Sequence, residues 1–201
     1  MEVAHRYLPA AGPAGVGGGW YDAIPLSGAR VGLVVGDVAG HVTGAAATMG
    51  RVHTTVAALA ALDLAPDELL IPLDDLVSRT GAPPSGPAEA EDQALGVTCL
   101  YAIYDPVSQH CVMGRAGHLP PVLVTPDGHA ELVELPTGPP LDLGALPFEC
   151  ADIELREGAM LALSPTDSSK AVRRTSTQES ALSAPRSPGP GTADWTGHAT
   201  G

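Results

Sequence analysis

One carboxylate in this chain sits where a charge is costly. Val31, Leu33, Val34 and Val35, with Gly32 among them, form an aliphatic run, and Gly36, Asp37, Val38, Ala39, Gly40 and His41 follow directly. An apolar run bounded by glycine predicts a buried strand over Val31–Val35. A carboxylate at the mouth of such a strand is tolerated if it faces water or a cation. Two kinds of chemistry suit it. Asp37 caps backbone N–H groups in a tight glycine turn, a common use of Asp, or it is an oxygen ligand for a hard divalent ion. A second acid, Asp167, follows the apolar stretch Ala159–Leu163, so two strand ends can bring the pair together. Asp22, behind three glycines, Trp20 and Tyr21, reads as a turn acid that starts a strand over Ala23–Leu26. His41 reads as structural rather than as a ligand.

The elements that must hold these residues show in the periodicity. Ser27, Gly28 and Ala29 form a hairpin turn into the central strand. Beyond Asp37, Thr43 is placed to cap a helix over Gly44–Leu62. Met49, Val52, Val56, Leu59 and Leu62 recur there at mixed three- and four-residue spacing, which marks one buried face. Pro66, Asp67 and Glu68 open a second helix that runs to Arg79. Proline suits the first turn, and the acids lie near the positive end of the helix dipole. Residues 1–15 predict an edge strand and a loop, and residues 81–92 a mobile loop of Gly, Pro, Ala and acid.

Farther on, Gly96–Tyr104 predicts a strand with Val97, Cys99, Tyr101 and Ile103 on one face, and Gln109–Arg115 returns beside it. Ala116–Pro121 makes a sharp loop. A second hairpin joins Val122–Val124 to Glu131–Leu135, and Phe148–Leu155 and Ala159–Leu163 are the last clear strands.

A chain of 201 residues is long enough for one domain with its own core. Aromatics are only 3% of it, so that core is built from Leu, Val and Ala. No apolar run reaches the length of a membrane span, and the N-terminus lacks a basic-then-apolar signal pattern. Cys99, Cys111 and Cys150 form no CxxC pair and leave one odd, which fits small core residues in a reducing, cytoplasmic compartment. Charge is uneven. Residues 1–164 carry 20 acids and 6 bases, whereas residues 165–201 carry 3 acids and 4 bases. So acidic a body excludes a nucleic-acid face and favours cations or basic partners. The last stretch holds 12 Ser or Thr among scattered Gly and Pro, so residues 168–201 read as a disordered tail.

Four motifs together carry a resemblance. Gly17-Gly18-Gly19-Trp20-Tyr21-Asp22, Gly36-Asp37-Val38-Ala39-Gly40-His41, Ala116-Gly117-His118-Leu119-Pro120-Pro121 and Thr166-Asp167 occur in this order. They resemble the bacterial SpoIIE/RsbU-type branch of the metal-dependent serine/threonine phosphatases, the PPM or PP2C-like family. That family reads GGDWYD, GDVxGHG, AGHxPP and TDG. The resemblance runs from Arg6 to Asp167, and Thr137–Asp142 resembles the family's GPPLG segment. It implies an α+β fold, the αββα sandwich of antiparallel sheets flanked by helices. It places the domain over residues 1–167, with the last helix, final strand and last metal-binding Asp of the family missing.

The resemblance also implies a chemistry. Asp37 would bridge two Mn²⁺ or Mg²⁺ ions, Gly40 would add a backbone carbonyl, and Asp167 would be the second acid. The substrate would be phosphoserine or phosphothreonine on a regulatory protein of the anti-sigma-factor antagonist type. Three departures bear on this. Gly19 stands where the family has an acid, Val42 where it has a Gly, and Ser168 where it has the Gly of TDG. Two carboxylates fall short of the roughly four charges that two buried divalent ions call for. The expectation is therefore a phosphatase with a weak metal centre. The alternative is a catalytically inactive phosphatase fold that serves as a binding module in sigma-factor or stress signalling. His118 would contact a substrate phosphate or tie its loop to backbone groups.

Overall fold

The computed structural model describes residues 19–38, 42–80, 96–141, 143 and 147–164, the side chains of residues 42–46 and 80 excepted. The predicted loops over 1–15 and 81–92, the tail over 168–201, His41, and two of the three metal-ligand candidates, Gly40 and Asp167, lie outside these residues.

Strand β1 (Trp20–Pro25) turns back into β2 (Val31–Val38) through the Ser27–Ala29 hairpin. Gly28 takes a positive φ of 70° there, the left-handed conformation that glycine adopts at least cost. Helices α1 (Val42–Ala60) and α2 (Pro66–Thr80) follow. Then come β3 (Val97–Asp105), β4 (His110–Ala116), β5 (Val122–Val124), β6 (Ala130–Leu132), β7 (Cys150–Glu154) and β8 (Met160–Ala162). Five strands form one sheet in the order β1-β2-β3-β4-β7, and three form another in the order β6-β5-β8. Every pairing between these strands is antiparallel.

Period-two alternation divides the first sheet into two faces. Val34, Val38, Val97, Cys99 and Tyr101 point to one side, where they pack with Val52 and Val56 of α1 and Leu69, Leu70 and Leu73 of α2. Val35, Leu100, Ala102, Cys111 and Met113 point to the other, against Leu123 and Leu161 of the second sheet. The layers are thus a helix pair, a five-stranded sheet and a three-stranded sheet. The two helices lie side by side on one sheet, as expected. Of the αββα order, these are the first three layers. By the same alternation Val122, Val124, Ala130, Leu132, Met160 and Ala162 face away from the inter-sheet core, where a fourth layer of such a sandwich belongs.

Three local differences have physical causes. Strand β2 continues past Val35 to Val38, so Gly36 and Asp37 belong to the ladder rather than to a turn. A Cβ on Gly36 would lie 2.6 Å from the Trp20 indole nitrogen and 2.7 Å from the Thr98 carbonyl oxygen. That glycine therefore serves close approach within the strand. Helix α1 begins at Val42, which puts Thr43 inside its first turn instead of at the cap. Helix α2 carries Pro72 in its interior, a position that ordinarily costs about 3 kcal/mol. Packing offsets that cost, because Leu69, Leu70 and Leu73 are all fully buried. At the start of α2 the Ala65 N–H donates to the Glu68 carboxylate at 3.1 Å, the reach-back contact of a capping box. Leu73→Ala should lower unfolding free energy by about 2–5 kcal/mol, read from urea denaturation.

The turns at one end are tied together. The Arg30 guanidinium and the Ser27 hydroxyl both donate to the Asp63 carboxylate, joining the β1–β2 hairpin to the α1–α2 turn. This network lies at the start of β2. Asp37 lies at the other end of the same strand.

Candidate functional site

Asp37 shares parity with Leu33 and Val35, so its carboxylate belongs to the inter-sheet face of β2. It sits where the apolar packing of that face ends, and it is half-buried. Burial pushes its carboxyl above the ordinary carboxylate range, and a hydrogen bond from the Val38 N–H partly opposes that shift.

The neighbours of Asp37 follow from register. Thr98 of β3 is its direct partner on one side. On the other side, the last β1–β2 pair is Trp20 with Gly36. Continuing that antiparallel register by one residue sets Gly19 against Asp37. Directly opposed residues share a face, with Cβ atoms about 4.5–5.5 Å apart. The acid-to-glycine change at position 19 therefore falls beside Asp37, and the cross-strand row reads Gly19, Asp37, Thr98.

Asp22 is elsewhere. It pairs with Val34, so it faces the helices, on the opposite side of the sheet from Asp37. It is a strand residue of β1 and not a turn acid. Its carboxylate accepts from His53 Nε2 of α1 at 2.8 Å, and the His53 ring lies 5.6 Å from the Trp20 ring. The sequence carried no signal for this pair, because its members lie 31 positions apart on elements of different type.

His118 is 3% exposed, in the loop after β4. Its Nε2 lies 3.0 Å from the Ser164 carbonyl oxygen and its Nδ1 lies 2.9 Å from Thr98 Oγ1. A carbonyl only accepts, so Nε2 carries the proton. Burial, and secondarily the Arg115 charge, hold this imidazole below the ordinary histidine pKa despite the Ser164 contact. In the neutral ring Nδ1 is then the acceptor and the Thr98 hydroxyl the donor. Both nitrogens are committed to the protein, so the loop-tying role fits and a phosphate contact does not.

The loop that carries His118 is itself held on several sides. Arg115 donates from Nε to the Pro136 carbonyl at 2.9 Å and from Nη1 to the His118 carbonyl at 2.9 Å. Its Nη2 donates to the Leu135 carbonyl and to Thr137 Oγ1. The Gly117 N–H donates to the Gly138 carbonyl at 2.9 Å. Gly117 has a φ of +61°, and a Cβ there would strike Pro140 at 2.7 Å. The AGH loop and the Gly138–Leu141 segment are thus one packed unit. Arg115 appeared in the sequence only as the residue ahead of that motif. Its partners in the Leu135–Thr137 segment lie 20–22 positions away, out of reach of any local pattern.

Among the described residues no group of three or more His, Cys, Asp or Glu side chains is placed to hold a metal ion. The described part of the site thus offers one hard oxygen donor, Asp37, which fits one corner of a divalent-ion centre. The three cysteines are free thiols: Cys99 and Cys111 are buried, and burial pushes both thiols up to about 12. No described helix is long and apolar enough to cross a membrane.

Residues 27–167 match the profile of the stage II sporulation protein E (SpoIIE) family. The structure of the RsbU and RsbW domains of Rv1364c from Mycobacterium tuberculosis is 33% identical, with a TM-score of 0.63, and the match covers 76% of this chain and 40% of that one. The PP2C phosphatase domain of Bacillus subtilis SpoIIE, solved with a fragment of its regulatory domain, matches at 15% identity and a TM-score of 0.57, covering 72% and 39%. RsbX in complex with magnesium matches at 12% identity and 0.57, covering 76% and 67%. The last two show likeness of fold. This chain spans about two fifths of the length of the first two structures.

Proposed function

The chain belongs to the SpoIIE family of PP2C-type phosphatases, and from that premise we propose that it is a metal-dependent serine/threonine phosphoprotein phosphatase with a weakened metal centre. Asp37, the Gly40 carbonyl and Asp167 hold Mn²⁺ or Mg²⁺. The substrate is a phosphoserine or phosphothreonine on a regulatory protein of the anti-sigma-factor antagonist type, in the cytoplasm. The presence of an RsbW domain beside the RsbU domain in the M. tuberculosis relative supports a regulatory-protein partner.

The observation that carries this reading is the placement of Asp37. Its carboxylate is half-buried on the inter-sheet face near the end of β2, and desolvation already raises its pKa. A cation there compensates the charge that burial disfavours. A divalent ion so held supplies Lewis acidity, which acidifies water and offsets phosphoryl charge. The chain's own part is to present oxygen donors on a rigid strand end and to keep the inner side of the site dry through Val35 and Leu100.

Gly19 supports a second reading. With no carboxylate opposite Asp37, the centre lacks a charge, and an inactive fold that binds its partner without hydrolysing it fits that loss. Turnover of a generic aryl phosphate against Mn²⁺ concentration separates the two. A weakened enzyme needs millimolar Mn²⁺. Rapid turnover at micromolar Mn²⁺ contradicts the weakened centre, and none at any concentration supports the binding module.

The raised pKa of Asp37 gives a test that needs no turnover. Its folded pKa lies above its unfolded value, so the folded state binds the proton more tightly. Its contribution to stability is full below the unfolded carboxylate pKa and is lost as pH rises through the folded value. At neutral pH without metal, Asp37→Asn should therefore melt higher than the native chain. Mn²⁺ should raise the melting temperature of the native chain and leave that of Asp37→Asn unchanged, as differential scanning calorimetry would show.

A further inference from the structure

We propose that the outer face of the β6-β5-β8 sheet docks one amphipathic helix of a partner protein, with its apolar side in the face and basic residues on its flanks. This docking needs neither a metal ion nor turnover.

The face is apolar throughout. Directly paired residues share a face, so two cross-strand rows cover it: Leu132, Val122 and Ala162, then Ala130, Val124 and Met160. Leu123 and Leu161, of the opposite parity, belong to the inter-sheet core. The large side chains stand at opposite corners, Leu132 on β6 and Met160 on β8, and they are 46% and 57% exposed. Alanines hold the other two corners. Val122, buried at the centre, and Val124 beside it form the floor. A shallow groove therefore runs diagonally from Ala130 to Ala162, with Leu132 and Met160 as its walls. Helices α1 and α2 pack on the far side of the five-stranded sheet, so neither covers it.

Size and charge select the occupant. Strands about 4.8 Å apart make a three-stranded face about 10 Å wide, which is the diameter of one helix with its side chains. A second copy of this chain would need roughly 800 Å² on each partner, so its contact would spread onto the rim. The exposed charged residues there are mostly acids, Asp127, Glu131, Glu134 and Glu157, with Arg156 and His129 among them. Two copies would set those acids against each other. A helix with Lys or Arg beside its apolar stripe meets opposite charge instead.

The probe is a synthetic helical peptide of about 14 residues, with Leu at i, i+3, i+4 and i+7 spacing and Lys along both flanks. One control peptide has the same residues in scrambled order, and another has Glu in place of each Lys. The methionine methyl groups of the full chain are labelled with carbon-13. Met160 lies on the docking face and Met113 in the inter-sheet core, so one NMR spectrum reports both docking and folding. The Lys-flanked peptide should shift the Met160 methyl saturably and leave Met113 in place. Both control peptides should bind at least about tenfold more weakly at low salt, and added salt should narrow the gap between Lys and Glu flanks. Leu132→Ser should weaken binding roughly tenfold. Val107→Ser, at a side chain 83% exposed in the β3–β4 turn, should leave it unchanged. Should Leu132→Ser disturb Met113, Ala130→Gln, which fills one end of the groove, takes its place with the same expected loss.

An unmoved Met160 methyl, equal binding of the scrambled peptide, or full affinity in the groove variant would overturn the proposal. Without peptide, a Met160 shift that depends on protein concentration would assign the face to a second copy and overturn it as well. So would a Met160 methyl screened from a soluble gadolinium chelate at high dilution, which would assign the face to another segment of this chain.

Discussion

Asp37→Ala should remove metal-dependent turnover of aryl phosphate at millimolar Mn²⁺, lowering it by about 10²- to 10⁴-fold. By the family resemblance this carboxylate would hold two ions, so the substitution would delete two charge-assisted contacts. Each is worth about 1.5–3 kcal/mol, and about 1.4 kcal/mol is one decade. The change should leave the fold intact. Asp37 is half-buried at a strand end, and its loss relieves a desolvated charge instead of opening a cavity. Wild-type turnover in the variant would remove Asp37 from the chemistry.

The second large effect runs the other way. Gly19→Asp should tighten Mn²⁺ binding by roughly 10- to 100-fold, since it restores one charge-assisted contact of about 1.5–3 kcal/mol. Register sets position 19 against Asp37. Without metal the two carboxylates repel across that short distance, so the variant should melt lower than native in chelator. With Mn²⁺ it should melt higher. This crossover is the signature of a shared ion, because a change that merely stiffened β1 would shift both melting temperatures the same way. Equal shifts in chelator and in Mn²⁺ would place residue 19 outside the centre.

Much of this arrangement was legible in the sequence. The aliphatic run at Val31–Val35, the hairpin turn at Gly28 and the helical spacing of Val52, Val56, Leu69 and Leu73 all specify local structure through contacts on a single face. Parity adds information only once the strands are known: along β2, Asp37 shares the inter-sheet face of Leu33 and Val35, and the pairing with Val34 sets Asp22 on the other face. What the sequence did not disclose depends on partners far along the chain. His118 meets Ser164 across 46 positions, and Arg115 meets the 135–137 segment across about 20. The extension of β2 through Gly36 was hidden for a different reason. Glycine next to Asp looks like a turn, and only the indole of Trp20 lying over it shows that the missing side chain makes room within a strand. The second helix was legible through Pro72, whose local cost is outweighed by three leucines whose burial the tertiary structure reveals.

The central claim is that the Asp37 carboxylate binds a divalent cation. Electron paramagnetic resonance titration of Mn²⁺ into the native chain and into Asp37→Ala, at the same protein concentration and neutral pH, tests it most directly. The free-ion signal should be depleted by the native chain in the millimolar range and follow the buffer line for Asp37→Ala. Superimposable curves with equal depletion would show that the cation binds somewhere else.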